Sequence, residues 1–275
     1  MSGAPGAGDA VSAEAGVVSW SWRAEAATVG ALVRRAGNEI LRVPGAAIPG
    51  ILAPTIFFLG LTAVFGNLTL LPGFDTDSYA SFLIPVSLMQ GAAFTGAATG
   101  VNLARDIEQG WFDRLLASPA PRAVLLTGLV LSASVRALVP AAVLLVVAFS
   151  IGAHWPGLPA LLIALTIVMG MATVAATWGA SLALRFRTQS AAPLMQAGMF
   201  VVVLTTTAYA PLELLTGWLQ EVARYNPVTQ VVDAARQGFV GDVTWAGTWP
   251  GFVTIAGLAI LLGAMALRGM RRMTD

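Results

Sequence analysis

The chain carries few residues able to do covalent or metal chemistry. His154 is the only histidine, cysteine is absent, and all fifteen basic residues are arginine. A multi-histidine zinc site and any thiolate site are excluded. Without lysine there is no G-x-x-x-x-G-K-[ST] loop, whose lysine contacts nucleotide phosphates. The chain is therefore not itself an ordinary ATP hydrolase, and no catalytic residue is assigned. A Schiff-base lysine is excluded as well. An intramembrane serine protease would need a serine beside a histidine base. No G-x-S-x-G elbow occurs, and His154 sits in a short His-Trp-Pro turn where a structural role is expected. No metal and no nucleic acid are expected as partners.

Two segments have spacing that points to recognition rather than catalysis. The first is Asn102–Arg122, NLARDIEQGWFDRLLASPAPR. Ile107, Trp111, Leu115 and Leu116 follow helical spacing, Asp106, Asp113 and Arg114 fall elsewhere, and Pro119 and Pro121 end the helix. An aromatic pair, Trp111 and Phe112, with charges beside it is what a protein-binding hot spot needs. The alternative is a helix that merely lies on lipid headgroups. The second segment is Pro211–Gly241, with short apolar helical patterns over Leu212–Ala223 and Pro227–Phe239. Asn226 is placed to cap a helix whose first residue is Pro227. Asp233 and Arg236, three apart, can pair. Each helix is too short to span a bilayer. A hairpin dipping into the outer leaflet fits, packed against protein so that its backbone ends avoid lipid; a helix pair on the surface is the alternative.

Both segments must be held by something, and composition says what. Of the 275 residues 57% are hydrophobic and 11% charged, with a mean hydropathy of +0.77. Soluble domains average about 45–50% apolar and about 25% charged residues, so this is an integral membrane protein. Six stretches are long and apolar enough to span: Ala46–Gly66, Ala80–Val101, Ala123–Gly152, Leu158–Leu184, Ala192–Ala210 and Gly247–Leu267. None contains Asp or Glu. Residues 1–19 are small and polar and are expected to be disordered. Residues 20–43 have an amphipathic pattern: Trp22, Val29, Val33, Ala36 and Ile40 on one face, Arg23, Arg34, Arg35, Asn38 and Arg42 on the other. Such a helix can lie in the membrane interface or be a solvated lead-in to the first span. The membrane domain then occupies 44–275. Twelve of the fifteen arginines fall in alternate segments, which places both termini in the cytoplasm by the positive-inside rule.

Within the spans, Arg136 is the sole charge. It either lines a path, contacting anionic lipid or substrate, or it pairs with another span or snorkels to the interface. Thr205, Thr206, Thr207 and Tyr209 form a polar band that faces a substrate or bonds preceding carbonyls. Gly96 and Gly100 have the G-x-x-x-G spacing of close helix packing. Trp155, Trp218, Trp245 and Trp249 fall where an outer aromatic belt would lie. A proton- or sodium-coupled carrier places carboxylates inside the membrane. None is present here, so the driving energy must come from outside the chain.

The loop Asp106-Ile-Glu108-Gln-Gly110-Trp-Phe-Asp113-Arg114-Leu115-Leu116-Ala-Ser-Pro119-Ala-Pro-Arg122 resembles the cytoplasmic loop of ABC-2 type transport permeases. That loop reads as an acidic residue, E-x-G, R-L-L, then proline and a basic residue. Asn226-Pro227-Val228-Thr229 followed by Asp233-Ala234 and Arg236 resembles the family's N-P-x-T…D-A-x-R element before the last span. Pro49–Pro54 and Phe65-Gly66-Asn67 look most like the daunorubicin-resistance branch. The resemblance covers about Arg34 to Arg272. It implies an all-α fold of six transmembrane helices with an amphipathic connecting helix, a cytoplasmic coupling helix and an outer re-entrant hairpin. It implies that Arg105, Asp106, Glu108, Gly110, Trp111, Phe112, Arg114, Leu115 and Pro119 touch or shape the contact with a separate ATPase, which would hold the ATP and Mg. Asn226, Pro227, Thr229, Asp233 and Arg236 would belong to the hairpin capping the path. Two permeases and two ATPases would form the unit, in a bacterial cytoplasmic membrane, exporting a lipophilic drug, antibiotic or lipid. A membrane scaffold or assembly factor without transport is the competing reading.

Overall fold

The computed structural model describes residues 48–71, 76–116 and 120–273, with helical positions at Ala27, Val29, Gly30, Ala31 and Arg34. The tail expected over 1–19, most of the amphipathic helix over 20–43, and Pro119 lie outside the described residues. Among the described residues there is no strand. The helices are α1 (Ile48–Phe65), α2 (Tyr79–Glu108), α3 (Trp111–Leu116), α4 (Arg122–Arg136), α5 (Leu138–Ser150), α6 (Leu158–Phe186), α7 (Ala192–Leu204), α8 (Trp218–Tyr225), α9 (Pro227–Val240) and α10 (Trp245–Arg271). Short 3-10 turns follow α1 (Gly66–Leu70), precede α7 (Gln189–Ala191) and precede α8 (Leu212–Leu214).

Helix α2 is the spine. Leu83, Ile84, Val86, Met89 and Ala97 along it are wholly buried. Its main neighbour is α6, and the two backbones meet at glycines. A Cβ on Gly100 would lie 2.4 Å from Gly179, and one on Gly96 would lie 2.5 Å from the Ala172 carbonyl oxygen. The G-x-x-x-G spacing thus marks a close helix crossing, as small residues do where lipid supplies no hydrophobic drive. Helices α1 and α10 flank the bundle and present large apolar side chains outward, among them Ile56, Val64, Val253, Ile260 and Leu261. An apolar surface of that extent fits a lipid or protein environment rather than water.

Five segments are long and apolar enough to cross a membrane: 50–70, Tyr79–Glu108, Arg122–Ser150, Leu158–Phe186 and Trp245–Arg271. Two expected spans differ in detail. The third is broken into α4 and α5 at Ala137. Pro140 has no N–H to give the Arg136 carbonyl, so the helix slips there. The fifth, expected over Ala192–Ala210, is helical only to Leu204. From Gln189 to Leu204 the apolar helix rises about 24 Å, short of about 30 Å of hydrocarbon. Beyond it, Thr205–Ala210 is irregular. Connectivity sorts the arginines by end. The loops after α2 and α6 and the tail of α10 share one end of the bundle, called here the arginine end. Helices α8 and α9 sit at the other.

Candidate functional sites at the two ends of the bundle

The irregular run after α7 leaves backbone carbonyls without helical donors, and these are costly to leave unpaired away from water. Side chains from the hairpin reach them. The Asn226 Oδ1 accepts from Val228 N at 2.9 Å, capping α9. Its Nδ2 donates to the carbonyls of Val202 (2.8 Å) and Thr205 (3.2 Å) and to Thr205 Oγ1 (3.1 Å). One amide therefore starts one helix and finishes another. Pro227 supplies the fixed φ of a first helical residue without needing a donor. Thr229 Oγ1 donates to the Ala223 carbonyl at 2.7 Å, closing the α8–α9 corner.

Arg236 does the rest. It is buried, and its Nη2 donates to the Thr207 carbonyl at 2.7 Å and the Ala208 carbonyl at 3.4 Å. Nε donates to the Phe82 carbonyl on α2 at 3.2 Å, and the guanidinium lies 3.8 Å from the Phe82 ring centroid. Nη1 donates to Asp233 Oδ1 at 3.3 Å, which also accepts from Thr207 Oγ1 at 2.8 Å. The expected Asp233–Arg236 pair is present, as one edge of a network joining three elements. A planar fork with five donors suits such a cluster, and a point-charge ammonium would not. Tyr79 Oη donates to the Tyr209 carbonyl at 3.0 Å, and Gln90 Nε2 donates to Tyr209 Oη at 2.9 Å. Thr205 and Thr206 donate their hydroxyls to preceding carbonyls, at 2.9 Å and 2.7 Å, so the threonine band is mostly self-satisfied. Tyr79, Phe82 and Gln90 were not singled out by sequence reasoning. Gln90 is an amide inside an apolar span, and that alone was a signal.

At the arginine end α2 continues as helix to Glu108, so the first half of the expected loop helix belongs to the spine. Gly110, at φ +69°, then turns the chain, a conformation that side chains other than glycine resist. This turn resets the helical register. The six-residue α3 buries Phe112 completely and leaves Trp111 38% exposed. Trp111 was expected to share the apolar face with Ile107 and Leu115; the turn at Gly110 gives that place to Phe112. Leu115 and Leu116 pack on the core beside Ile107, while Asp113 and Arg114 are exposed.

Glu108 and Arg105 also take up positions not expected. Glu108 Oε1 accepts from Gln189 N at 2.9 Å and Oε2 from Gln189 Nε2 at 2.7 Å. Arg105 Nε donates to Gln189 Oε1 at 3.2 Å. Both side chains hold the α6–α7 loop to the end of α2. Glu108 lies past the apolar stretch ending at Val101. Hydrogen bonds from Thr188 and Gln189 hold its carboxyl below its ordinary value. Asp106 is half-buried.

Arg136 sits where α4 gives way to α5. Its Nη2 donates to Thr99 Oγ1 on α2 at 2.7 Å. Helical side chains lean toward the N-terminus, and for α4 that is the arginine end. Arg136 thus pairs with a neighbouring span. His154 contributes its backbone N–H to Ser81 Oγ at 2.8 Å, a structural contact. Among the described residues no group of His, Asp or Glu could hold a metal.

A family model for ABC-2 type transporters matches residues 28–240, a stretch that takes in the exposed short helix and the capped hairpin. The chain belongs to the ABC-2 type transporter family. It is 27% identical over 246 residues to a probable doxorubicin resistance ABC transporter permease, DrrC, of Mycobacterium tuberculosis, covering 88% of this chain and 86% of that protein. It is 24% identical over 242 residues to the daunorubicin resistance ABC transporter permease DrrB1 of Streptomyces coeruleorubidus, covering 85% and 82%. A putative transport permease, ycf38, of Pyropia yezoensis is 29% identical over 223 residues, covering 78% and 74%. An ABC-2 permease is the multi-pass membrane subunit of an ABC transporter, and membership implies an ATPase partner. The two ends of the bundle carry the two motifs by which the sequence resembled the family.

Proposed function

We propose that this permease exports a lipophilic drug, antibiotic or lipid across a cytoplasmic membrane, driven by ATP and Mg on a separate ATPase that seats against α3. The observation that carries this reading is the split of the aromatic pair. Phe112 anchors a short helix on the spine while Trp111, Asp113 and Arg114 face outward from it. A rigidly footed helix with an exposed aromatic and flanking charges is a surface suited to docking. The relatives' names, which print doxorubicin and daunorubicin resistance, support the drug part of that class, and the lack of Asp or Glu in the apolar stretches supports an external energy source.

On this reading the arginine end faces the cytoplasm, and α7 with the run to Ala210 completes a sixth crossing. Its irregular part is tolerated at membrane depth because Asn226, Arg236 and Tyr79 take its carbonyls. Helices α8 and α9 dip into the outer leaflet and cap the path. Two permeases and two ATPases make the working unit, with substrate moving between the permeases. Glu108 and Arg105 act by positioning: they fix the α6–α7 loop beside α3, so a push on α3 reaches α2 and α7 together.

The test is transport into inverted vesicles by the permease with its co-purified ATPase, against a panel of lipophilic compounds. ATP-dependent uptake that disappears in Trp111→Glu/Arg114→Glu, with the variant still inserted and folded, is expected. Unchanged transport in that variant would overturn the docking assignment. A chain that captures no ATPase would overturn the whole reading.

A further inference from the structure

We propose that the groove between the ends of α6 and α10 is a binding site for the phosphate headgroup of an anionic phospholipid. A cavity of about 520 Å³ lies there, lined by Ser181, Leu184, Arg185, Arg187, Met265, Arg268, Gly269 and Arg272. Four arginines line it and no acidic residue does. Among the described residues none of the four forms a salt bridge. Four like charges around one groove repel each other and are accommodated best by an anion. Guanidinium forks bind phosphate oxygens in pairs, which suits arginine here over lysine.

Two further features point to a lipid. First, bare apolar surface on α10 adjoins the cavity, which Met265 lines. Ile260, Leu261 and Met265 on α10 precede Arg268 and Arg272 and are 72%, 59% and 48% exposed. Phe186 flanks the arginines on α6 and is exposed too. A charged groove at the foot of an apolar helix face has the shape of an amphiphile, with acyl chains along α10 and headgroup among the arginines. A free phosphate would use only the groove. Second, Arg187 stands at φ +56°, the one non-glycine residue with positive φ among the described residues. It caps α6 through Arg187 N to the Ala183 carbonyl at 2.8 Å. Glycine is the usual residue there, and a side chain is strained. An arginine at that position keeps a fourth cation on the groove at the expense of an easier helix end, and such strain is characteristic of binding sites.

The strain also gives a test with opposite signs. The full chain in neutral detergent is titrated with short-chain phosphatidylglycerol while its unfolding midpoint is followed. Phosphatidylcholine of the same chain length and glycerol 3-phosphate are the comparison ligands. Phosphatidylglycerol is expected to raise the midpoint, and the other two are not. Arg185→Gln/Arg268→Gln is expected to weaken phosphatidylglycerol binding about twenty-five-fold, at roughly a fivefold loss for each arginine near a membrane surface. Arg187→Gly, which relieves the strained cap, is expected to unfold at the same or a higher temperature without lipid and yet bind phosphatidylglycerol more weakly. Arg224→Gln, at the opposite end, leaves binding unchanged. Equal response to glycerol 3-phosphate would make the groove a soluble-anion site and overturn the lipid assignment. So would an undiminished response in both arginine variants. Loss of ATPase co-purification with lipid binding intact would reassign the groove to the partner.

Discussion

Replacing Arg236 tests whether the hairpin is held by carbonyl capture. Its two shortest bonds are to the Thr207 carbonyl, 2.7 Å, and the Phe82 carbonyl, 3.2 Å. In Arg236→Ala both acceptors lose their side-chain donor, and Asp233 keeps only Thr207. The Phe82 carbonyl keeps its helical donor within α2, and the Asp233 side chain, 46% exposed, is reached by water. The Thr207 carbonyl is the acceptor left unmet, and a buried one costs about 1–3 kcal/mol, which is the expected loss. Arg236→Lys keeps the charge but brings one ammonium to a site built for a fork, and recovers only part of that loss.

Asn226→Ala removes the α9 cap, worth about 1 kcal/mol, and also frees the Val202 and Thr205 carbonyls. Asn226 and Arg236 hold neighbouring stretches of the same irregular run. Once one lets go, the run is partly released, so the double variant loses less than the sum of the singles. The assay is reversible unfolding of the full chain in mild detergent, followed by tryptophan fluorescence, with ATP-driven transport measured in parallel. A loss under about 1 kcal/mol in Arg236→Ala would refute the reasoning, because it would mean the carbonyls are met some other way. Strict additivity in the double variant would refute the claim that the two residues hold one segment.

The remaining predictions concern the spine and the arginine end. Gly100→Ala puts a methyl 2.4 Å from Gly179 and is expected to cost at least about 1–3 kcal/mol in the same unfolding assay, while Gly257→Ala, with open space around it, is neutral. Phe112→Ala empties a wholly buried ring site and is expected to cost about 3–5 kcal/mol, whereas Trp111→Ala, at a side chain 38% exposed, costs less than that and weakens ATPase co-purification. Glu108 has its carboxyl lowered by hydrogen bonds from Thr188 and Gln189, so its hold on that loop is full above the ordinary carboxylate range and is lost as pH falls through the lowered value. Amide exchange at Gln189 is therefore expected to accelerate as pH falls below the ordinary carboxylate range, and Glu108→Gln to remove that dependence on the carboxyl. A dependence that survives the substitution would assign it elsewhere.

The apolar runs, the arginine asymmetry and the glycine spacing were legible because each is a property of side-chain type along one dimension. Gly96 and Gly100 read correctly as a close crossing, since small residues at four-residue spacing have few other uses in a membrane. What one dimension hid was the consequence of single backbone events. Pro140 split the third span, and Gly110 exchanged the faces of Trp111 and Phe112. A periodicity count carried across Gly110 could not register that exchange, because it assumes one continuous helix.

The hairpin motif was hidden for a deeper reason. Asn226 and Arg236 were read against partners that have a sequence signature: a helix start for one, an acid three residues away for the other. Both readings hold, at 2.9 Å and 3.3 Å. Yet most of their bonds go to carbonyls of Val202, Thr205, Thr207, Ala208 and Phe82, and a carbonyl is present at every position alike. The need for the Asn226 donor follows only once α7 is known to stop at Leu204. Had that helix run on to Ala210, the Val202 and Thr205 carbonyls would be met internally, whereas those of Thr207 and Ala208, in its last turn before Pro211, would still need a donor such as Arg236. The early end of α7 and the identity at 226 therefore explain each other, and Arg236 answers a need that any end near Ala210 creates.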